Sequence, residues 1–253
     1  MPQTTDAPIS FEPVLAVVVP VKNEADNILP LVGEIHAALS GKHVHEIIYV
    51  DDGSDDRTPD MLREARGKYP ALRVVRHRNS CGQSAAVATG VKAARAPVIA
   101  TLDGDGQNDP ADIPALLRRL LDEAPEARSY LLVAGWRHKR RDDGIRKISS
   151  RIANKIRAGM LKDDTPDTGC GLKVFTREAF LDMPRFDHMH RFLPALMIRR
   201  GGKVVSVPVN HRPRERGVSK YGVWNRLWVG IVDLFGVMWL QNRANLPEIE
   251  SRE

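Results

Sequence analysis

The sequence predicts an α/β protein, a mainly parallel twisted sheet flanked by helices. Three observations carry that expectation. Short, continuous β-branched runs recur along the first 136 residues, each bounded by turn residues, as strands buried on both faces require. Between them apolar residues return at helical spacing, behind recognisable helix-start signals. The strand ends carry Asp and Gly, which puts polar chemistry at the carboxyl edge of the sheet, where open α/β sheets hold their ligands.

The elements follow in order. Leu15-Ala16-Val17-Val18-Val19, closed by Pro20, reads as a first strand, and Ile28, Leu31, Val32, Ile35 and Leu39 then form a helical stripe. Ile47-Ile48-Tyr49-Val50 is a second strand, and Asp51-Asp52-Gly53-Ser54 behind it is turn chemistry. Thr58-Pro59 supplies an N-cap and a proline at the first helical position. Leu72 to Val75 is a third strand, Ser84 to Arg95 an Ala-rich helix, and Val98 to Leu102 a fourth strand that runs into Asp103-Gly104-Asp105-Gly106. Asp109-Pro110-Ala111-Asp112 starts a further helix, whose buried stripe is Ile113, Leu116, Leu117, Leu120 and Leu121. Tyr130 to Ala134 is a fifth strand, and this alternation with short connections builds a parallel sheet. Beyond residue 136 the rhythm changes. A basic helix near 145–159, a polar loop at 163–169, a strand from Leu172 to Phe175, a helix near 188–199, a strand from Val204 to Val209 and a last helix from about Tyr221 are expected.

Composition narrows the class. With 253 residues, 42% apolar and 28% charged, the chain can bury one sizeable core without staples. Cys81 and Cys170 alone make neither a disulfide framework nor a four-ligand zinc site, which favours a reducing compartment. The first ten residues have neither the basic nor the apolar region of a secretion signal, and no run reaches the roughly 18 apolar residues of a spanning helix. The net charge of +6 is unevenly spread. Residues 137–157 hold nine Lys/Arg against two Asp, residues 199–226 hold eight against Glu215, and the rest of the chain is left at −8. A basic face on an acidic body points to an anionic partner: phosphate, nucleic acid or a membrane surface.

Asp51-Asp52 and Asp103-x-Asp105 both end predicted strands, so they face one crevice. Two carboxylates at that spacing in a glycine-flanked turn suit a hard divalent cation shared with a substrate diphosphate, and Gln107 can add a neutral oxygen. Competing readings of DGDGQNDP fail on particular residues. The haloacid-dehalogenase phosphatase signature, which it superficially resembles, needs Thr or Val where Gln107 stands and normally ends the first strand. An EF-hand loop needs Gly and Glu where Asn108 and Pro114 stand. No G-x-G-x-x-G follows the first strand, so a dinucleotide site has no support.

Eight segments in order, VVVPVKNEADN, YVDDGSDDRT, GQSAA, LDGDGQNDP, GWR, RKISSR, DTGCGLKVF and RERGVSKYG, resemble family 2 glycosyltransferases of the polyprenyl-phosphate type, the group of dolichyl-phosphate mannose synthase and the undecaprenyl-phosphate sugar transferases. The resemblance runs from about Val14 to Trp224. It implies a GT-A fold, an inverting mechanism, and a nucleotide-sugar donor held with Mg²⁺ or Mn²⁺. It further implies that Pro20, Asn23, Glu24, Asp51 and Gly82 contact the nucleotide-sugar, with Gly104 between the acids. Asp103, Asp105 and Gln107 match the metal site; Arg137, Arg146 and Ser150 match an acceptor-phosphate cradle. Arg214, Ser219 and Lys220 match a loop that closes over donor diphosphate and acceptor, and Asp167 sits in a D-x-G-x-G turn near the same site. The family usually has larger residues where Gly104 and Gly106 stand, so a looser metal loop is expected here. The implied division is a tail at 1–13, a catalytic domain at 14–222 with a nucleotide-sugar half (14–136) and an acceptor half (137–222), an amphipathic helix at 223–242 and a tail at 243–253.

The chemistry of such a transfer agrees. A leaving diphosphate gathers negative charge, which metal and Lys/Arg stabilise. A lipid-phosphate nucleophile is already anionic near neutral pH, its second pKa being about 6, so an Arg cradle serves better than a strong base. Leu227, Trp228, Ile231, Phe235, Met238 and Trp239 form one stripe, with Asp233 elsewhere. This segment is too short to span, and Trp at both ends behind a basic loop suits a helix lying in an anionic membrane surface, or alternatively a buried core helix. The expected location is the cytoplasm, peripheral on the cytosolic face of the membrane. Rivals are a family 2 enzyme with a saccharide acceptor, whose processive polysaccharide synthases carry a Q-x-x-R-W motif and spanning helices that this sequence does not show, and a nucleotidyltransferase, which needs a Gly-rich basic loop where Val21-Lys22-Asn23-Glu24-Ala25 stands. A nucleic-acid-binding module would leave the acidic strand ends unexplained and lacks aromatics among its basic residues, so no nucleic-acid partner is expected. Oligomeric state and donor identity are not encoded in any of these features.

Overall fold

A computed structural model describes residues 12–137, 157–213 and 223–245. The described elements are β1 (Leu15–Val21), α1 (Ala25–Leu39), β2 (His45–Asp51), α2 (Thr58–Lys68), β3 (Leu72–Arg76), α3 (Gln83–Ala93), β4 (Val98–Thr101), α4 (Ile113–Leu121), the short α5 (Pro125–Arg128) and β5 (Leu131–Arg137). After these come β6 (Lys173–Thr176), α6 (Arg177–Leu181), α7 (Leu193–Arg199), β7 (Lys203–Val209) and α8 (Val223–Asn242). Seven strands form one sheet in the order β3-β2-β1-β4-β6-β5-β7. The pairs β1–β2, β2–β3, β1–β4 and β5–β7 are parallel, while β6 runs antiparallel between β4 and β5. A strand from beyond residue 137 is thus inserted between two strands from before it, and both parts share one sheet.

Strand alternation divides the core. Val17, Val19, Ile47 and Tyr49 pack with Ile28, Ile35, Leu62, Leu116 and Leu120 of α1, α2 and α4 on one face. Ala16, Val18, Ile48 and Val50 pack with Ala86, Val91, Phe175, Phe180, Leu193, Met197 and Val237 on the other. Each fully buried Val, Leu or Ile contributes roughly 1.5–3 kcal/mol. The close fit of α3 to the sheet depends on Gly90, where a Cβ would stand 2.4 Å from Val18 Cγ1 and 3.1 Å from Val50 Cγ2.

Local chemistry shifts some boundaries. Thr58 is the first residue of α2, and Arg57 takes the cap position. The Thr58 hydroxyl instead accepts from the Glu24 N–H at 2.9 Å, a tertiary bond that outcompetes local capping. Asp109 does cap, accepting from Ala111 N, but the turn it opens, Pro110–Asp112, is 3₁₀ before α4 begins. The helix expected near 188–199 is two pieces, a 3₁₀ turn at Met189–Arg191 and α7 with Pro194 in its first turn. The expected basic helix near 145–159 lies almost wholly outside the described residues; 157–161 are helical.

Helix α8 packs by one side only. Val237 is fully buried, and Leu234, Met238 and Leu240 lie against the core. Gln241 Nε2 donates to the carbonyls of Leu161 and Ala195, and Arg199 Nε to that of Leu240. Ile231, Val232, Phe235 and Trp239 form an exposed apolar face, Phe235 and Trp239 being 59% and 60% accessible. Met238, expected on the outer stripe, faces the core.

Candidate active site

The carboxyl ends of β1, β2 and β4 converge. Pro20 and Val21 close β1, and Asn23 adopts a left-handed backbone (φ 52°). Asn23 N donates to Ser54 Oγ at 2.9 Å, its Oδ1 accepts from Asp55 N at 3.0 Å, and Glu24 Oε2 accepts from Asn27 Nδ2 at 2.8 Å. With the Thr58 bond, these contacts sew the loop after β1 to the loop after β2.

Asp51 and Asp52 diverge as neighbouring residues at a strand end do. Asp51 is fully buried; Oδ1 accepts from Ser54 N, and Arg76 Nε lies 3.0 Å from Oδ2, off the line of a hydrogen bond. It lines a cleft of about 230 Å³ on the α2 face, with Pro59, Leu62, Arg63, Arg66, Val74 and Arg76. Asp52, expected to share one crevice with Asp51, instead serves the α3 face. Its carboxylate accepts from Cys81 N, Gly82 N, Ser80 Oγ and the His77 ring at 2.7–2.9 Å. Burial opposes its charge, but those donors prevail and hold its pKa below the usual carboxylate value. Asp52, His77 and Cys81 bring three ligand-type atoms within 4.8 Å. Both His77 nitrogens are already engaged, by Asp52 and by Thr89 Oγ1, so this cluster holds a loop together.

The second acidic group is built differently. Asp103 N donates to the buried Asn108 side chain at 3.3 Å, Gln107 N donates to Asp105 Oδ1 at 3.1 Å, and Gly106 makes the turn with φ 74°. Gly104 does not loosen this loop. A Cβ there would meet Val21 Cγ1 at 2.4 Å and the Pro20 carbonyl at 3.0 Å, so the glycine lets the loop press onto β1. Gln107 O accepts from Arg212 N at 2.9 Å, and Asn108 forms an isolated bridge with His211, tying the loop to the segment after β7. The Asp103 pKa is raised, first by burial and then by Asp105, against the opposing pull of Lys173, Arg137 and the Gln83 amide bonded to it at 2.8 Å. Two carboxylates in one glycine-lined turn, with an amide beside them, fit a hard Mg²⁺ or Mn²⁺ ion.

Facing this loop is a buried ion pair. Arg137 Nε and Nη2 donate to the two oxygens of Asp167 at 2.6 and 2.7 Å, and its backbone N–H adds a third bond. Burial works against the guanidinium, but Asp167 raises its pKa overall. Asp167 thereby orients Arg137. Lys173, 3% exposed and unforeseen, donates to the carbonyls of Thr168 and Cys170; burial lowers its pKa. Gly171 lies flush on Asp103, where a Cβ would stand 2.2 Å from Oδ2. Of the expected site residues, Pro20, Asn23, Glu24, Asp51, Gly82, Asp103, Gly104, Asp105, Gln107, Arg137 and Asp167 gather at this edge; Arg146, Ser150, Arg214, Ser219 and Lys220 lie outside the described residues.

The family model for glycosyl transferase family 2 matches residues 16–183. The chain belongs to that family. Within it, the chain is 40% identical over 257 residues to a dodecaprenyl-phosphate galacturonate synthase of Rhizobium johnstonii, a match spanning 97% of this chain and 74% of the relative. It is 35% identical to an undecaprenyl-phosphate 4-deoxy-4-formamido-L-arabinose transferase of Edwardsiella ictaluri, over 83% of this chain and 63% of that protein, so it spans less than two thirds of the latter's length. Among solved family-like folds, a Pyrobaculum calidifontis mannosyltransferase in complex with GDP-Man and Mn²⁺ superposes with a TM-score of 0.67 at 21% identity, covering 94% of this chain and 67% of that one. A Mycobacterium tuberculosis glucosyl-3-phosphoglycerate synthase gives 0.64 at 17% identity, over 93% and 81%. These confirm the GT-A architecture expected from the motifs.

Proposed function

We propose that this family 2 glycosyltransferase moves one sugar, with inversion, from a nucleoside-diphosphate sugar to a polyprenyl phosphate. The observation that carries the reading is the Asp103–Asp105 pair at the end of β4, facing the Arg137–Asp167 pair and Lys173 across one crevice. The acids would hold Mg²⁺ or Mn²⁺ with the donor diphosphate, and the ion would neutralise the leaving group. Arg137, already oriented, presents positive charge where an anionic acceptor approaches. Among the described residues none is required as a strong base if the nucleophile is a phosphate monoester, ionised at neutral pH. The polyprenyl-phosphate specificity named in both relatives supports the acceptor. The exposed apolar face of α8 supports peripheral docking on the cytosolic membrane face, where a lipid-linked acceptor lies; no described helix is long and apolar enough to cross a membrane.

The test is transfer of radiolabelled sugar from UDP-galacturonic acid, UDP-glucose or GDP-mannose to undecaprenyl phosphate in detergent with Mn²⁺. A labelled lipid product, lost with EDTA and with Asp105→Asn, supports the reading. Label reaching only a free saccharide acceptor overturns it.

A further inference from the structure

The first turn of α3 presents three consecutive residues to three different parts of the site. Gly82 N donates to Asp52, the Gln83 amide donates to Asp103, and the Ser84 hydroxyl meets His190 Nδ1 at 2.7 Å. Ser84 and His190 are 106 residues apart, and the contact is double, since His190 N donates to the same hydroxyl at 3.2 Å. Among the described residues Nδ1 is the one acceptor in reach of the Ser84 hydroxyl proton, which assigns that proton to the Oγ–Nδ1 bond and the imidazole hydrogen to Nε2. Burial, reinforced by the positive charges of Arg191 and Lys173, pushes the His190 pKa down to about 3, and the ring stays neutral across the working range.

The segment that carries His190 is fixed on both sides. His188, left-handed at φ 62°, places Nδ1 3.1 Å from Asp233 of α8, and Asp187 Oδ1 would stand 3.4 Å from a Cβ on Gly82. Met189 and Phe192 beside it are buried in the core with Ala86 and Val87. A polar Ser–His pair set into an apolar layer costs stability unless its hydrogen bonds are used. One ring nitrogen is satisfied by Ser84; the other finds no partner among the described residues, on a side chain that is only partly covered.

We propose that His190 contacts the transferred sugar of the donor, its Nε2–H donating to a sugar hydroxyl or carboxylate oxygen, and that Ser84 is the positioning residue that fixes its tautomer. A neutral, oriented donor suits an uncharged or singly charged sugar oxygen, whereas the diphosphate is served by cations. The location agrees: Ser84 directly follows Gln83, whose amide is bonded to Asp103, so the Ser84–His190 pair adjoins the acid that would hold the donor diphosphate. This assignment rests on the donor reading proposed above.

Binding without acceptor separates the two. Titration calorimetry with Mn²⁺ compares UDP-galacturonic acid, UDP-glucose and GDP-mannose with UDP and GDP, on wild type, His190→Ala, His190→Gln, Ser84→Ala and Ser84→Thr. For the sugar nucleotide that wild type binds, His190→Ala is expected to weaken affinity about three- to tenfold, one neutral hydrogen bond's worth, with the parent nucleoside diphosphate unchanged. His190→Gln, which keeps an N–H, recovers part of the loss. Ser84→Ala loses less than His190→Ala, and Ser84→Thr restores binding. Equal weakening of sugar nucleotide and parent nucleotide, or no weakening of either, overturns the assignment. Wild-type protein that binds none of the five ligands overturns the donor reading itself.

Discussion

At Gly171 a hydrogen stands where a methyl carbon would lie 2.2 Å from Asp103 Oδ2. Asp103 has little room to retreat, its Oδ1 being bonded to the Gln83 amide. Gly171→Ala is therefore expected to displace the carboxylate and lower kcat about 100-fold, the cost typical of ångström-scale misplacement at a reacting centre. Gly159→Ala, where nothing lies within 4 Å of the added carbon, should leave steady-state rates unchanged. Comparable rates for the two variants would show that Asp103 has no positional role. The shared turn of the acids at 103 and 105 is legible from their spacing and flanking glycines alone. The surroundings of Asp52, Lys173 and His190 are not, because they depend on donors 25–30 residues away, on burial inside β6, and on a serine 106 residues distant.

At the scale of elements, α8 has two apolar sides with different neighbours. Val237, Leu234 and Met238 close the core, and Ile231, Val232, Phe235 and Trp239 face outward. Deleting the helix would expose the core, so surface substitutions are the cleaner probe. Phe235→Glu with Trp239→Glu should abolish co-sedimentation with anionic liposomes while the melting temperature stays close to wild type. Val237→Glu, which buries an unpaired charge, should instead unfold the protein. Liposome binding that survives the double substitution would remove this face from membrane contact. The sequence stripe located the helix, but not which apolar residues turn inward: a stripe wide enough for both sides carries no label for its partner. Similarly, Thr58 has the local chemistry of a cap, yet its hydroxyl oxygen accepts from the Glu24 N–H because the loop after β1 folds against it.

For the whole molecule, metal and donor binding should register as stability. Ligand at about 100 times its Kd adds roughly 2.7 kcal/mol, which for a domain of this size is a rise of about 5–10 °C in melting temperature. The shift is expected with Mn²⁺ and a nucleotide-sugar together, and EDTA should erase it; the same shift in EDTA would exclude a metal-dependent donor site. The opening alternation of strand and helix, the helix-start signals and the acids at strand ends are properties of neighbours in the chain, so the sequence alone determined the α/β class, the acidic carboxyl edge of the sheet and the family motifs. Adjacent in the sequence, Asp51 and Asp52 read as facing one crevice, but the assembled sheet turns one toward Arg76 and the other toward the loop at 77–82. The insertion of β6 between β4 and β5, the Arg137–Asp167 pair and the Ser84–His190 contact were decided by tertiary structure. Each joins segments that no local propensity connects. They form only when closing the sheet buries enough apolar surface to offset the entropy of bringing distant segments together.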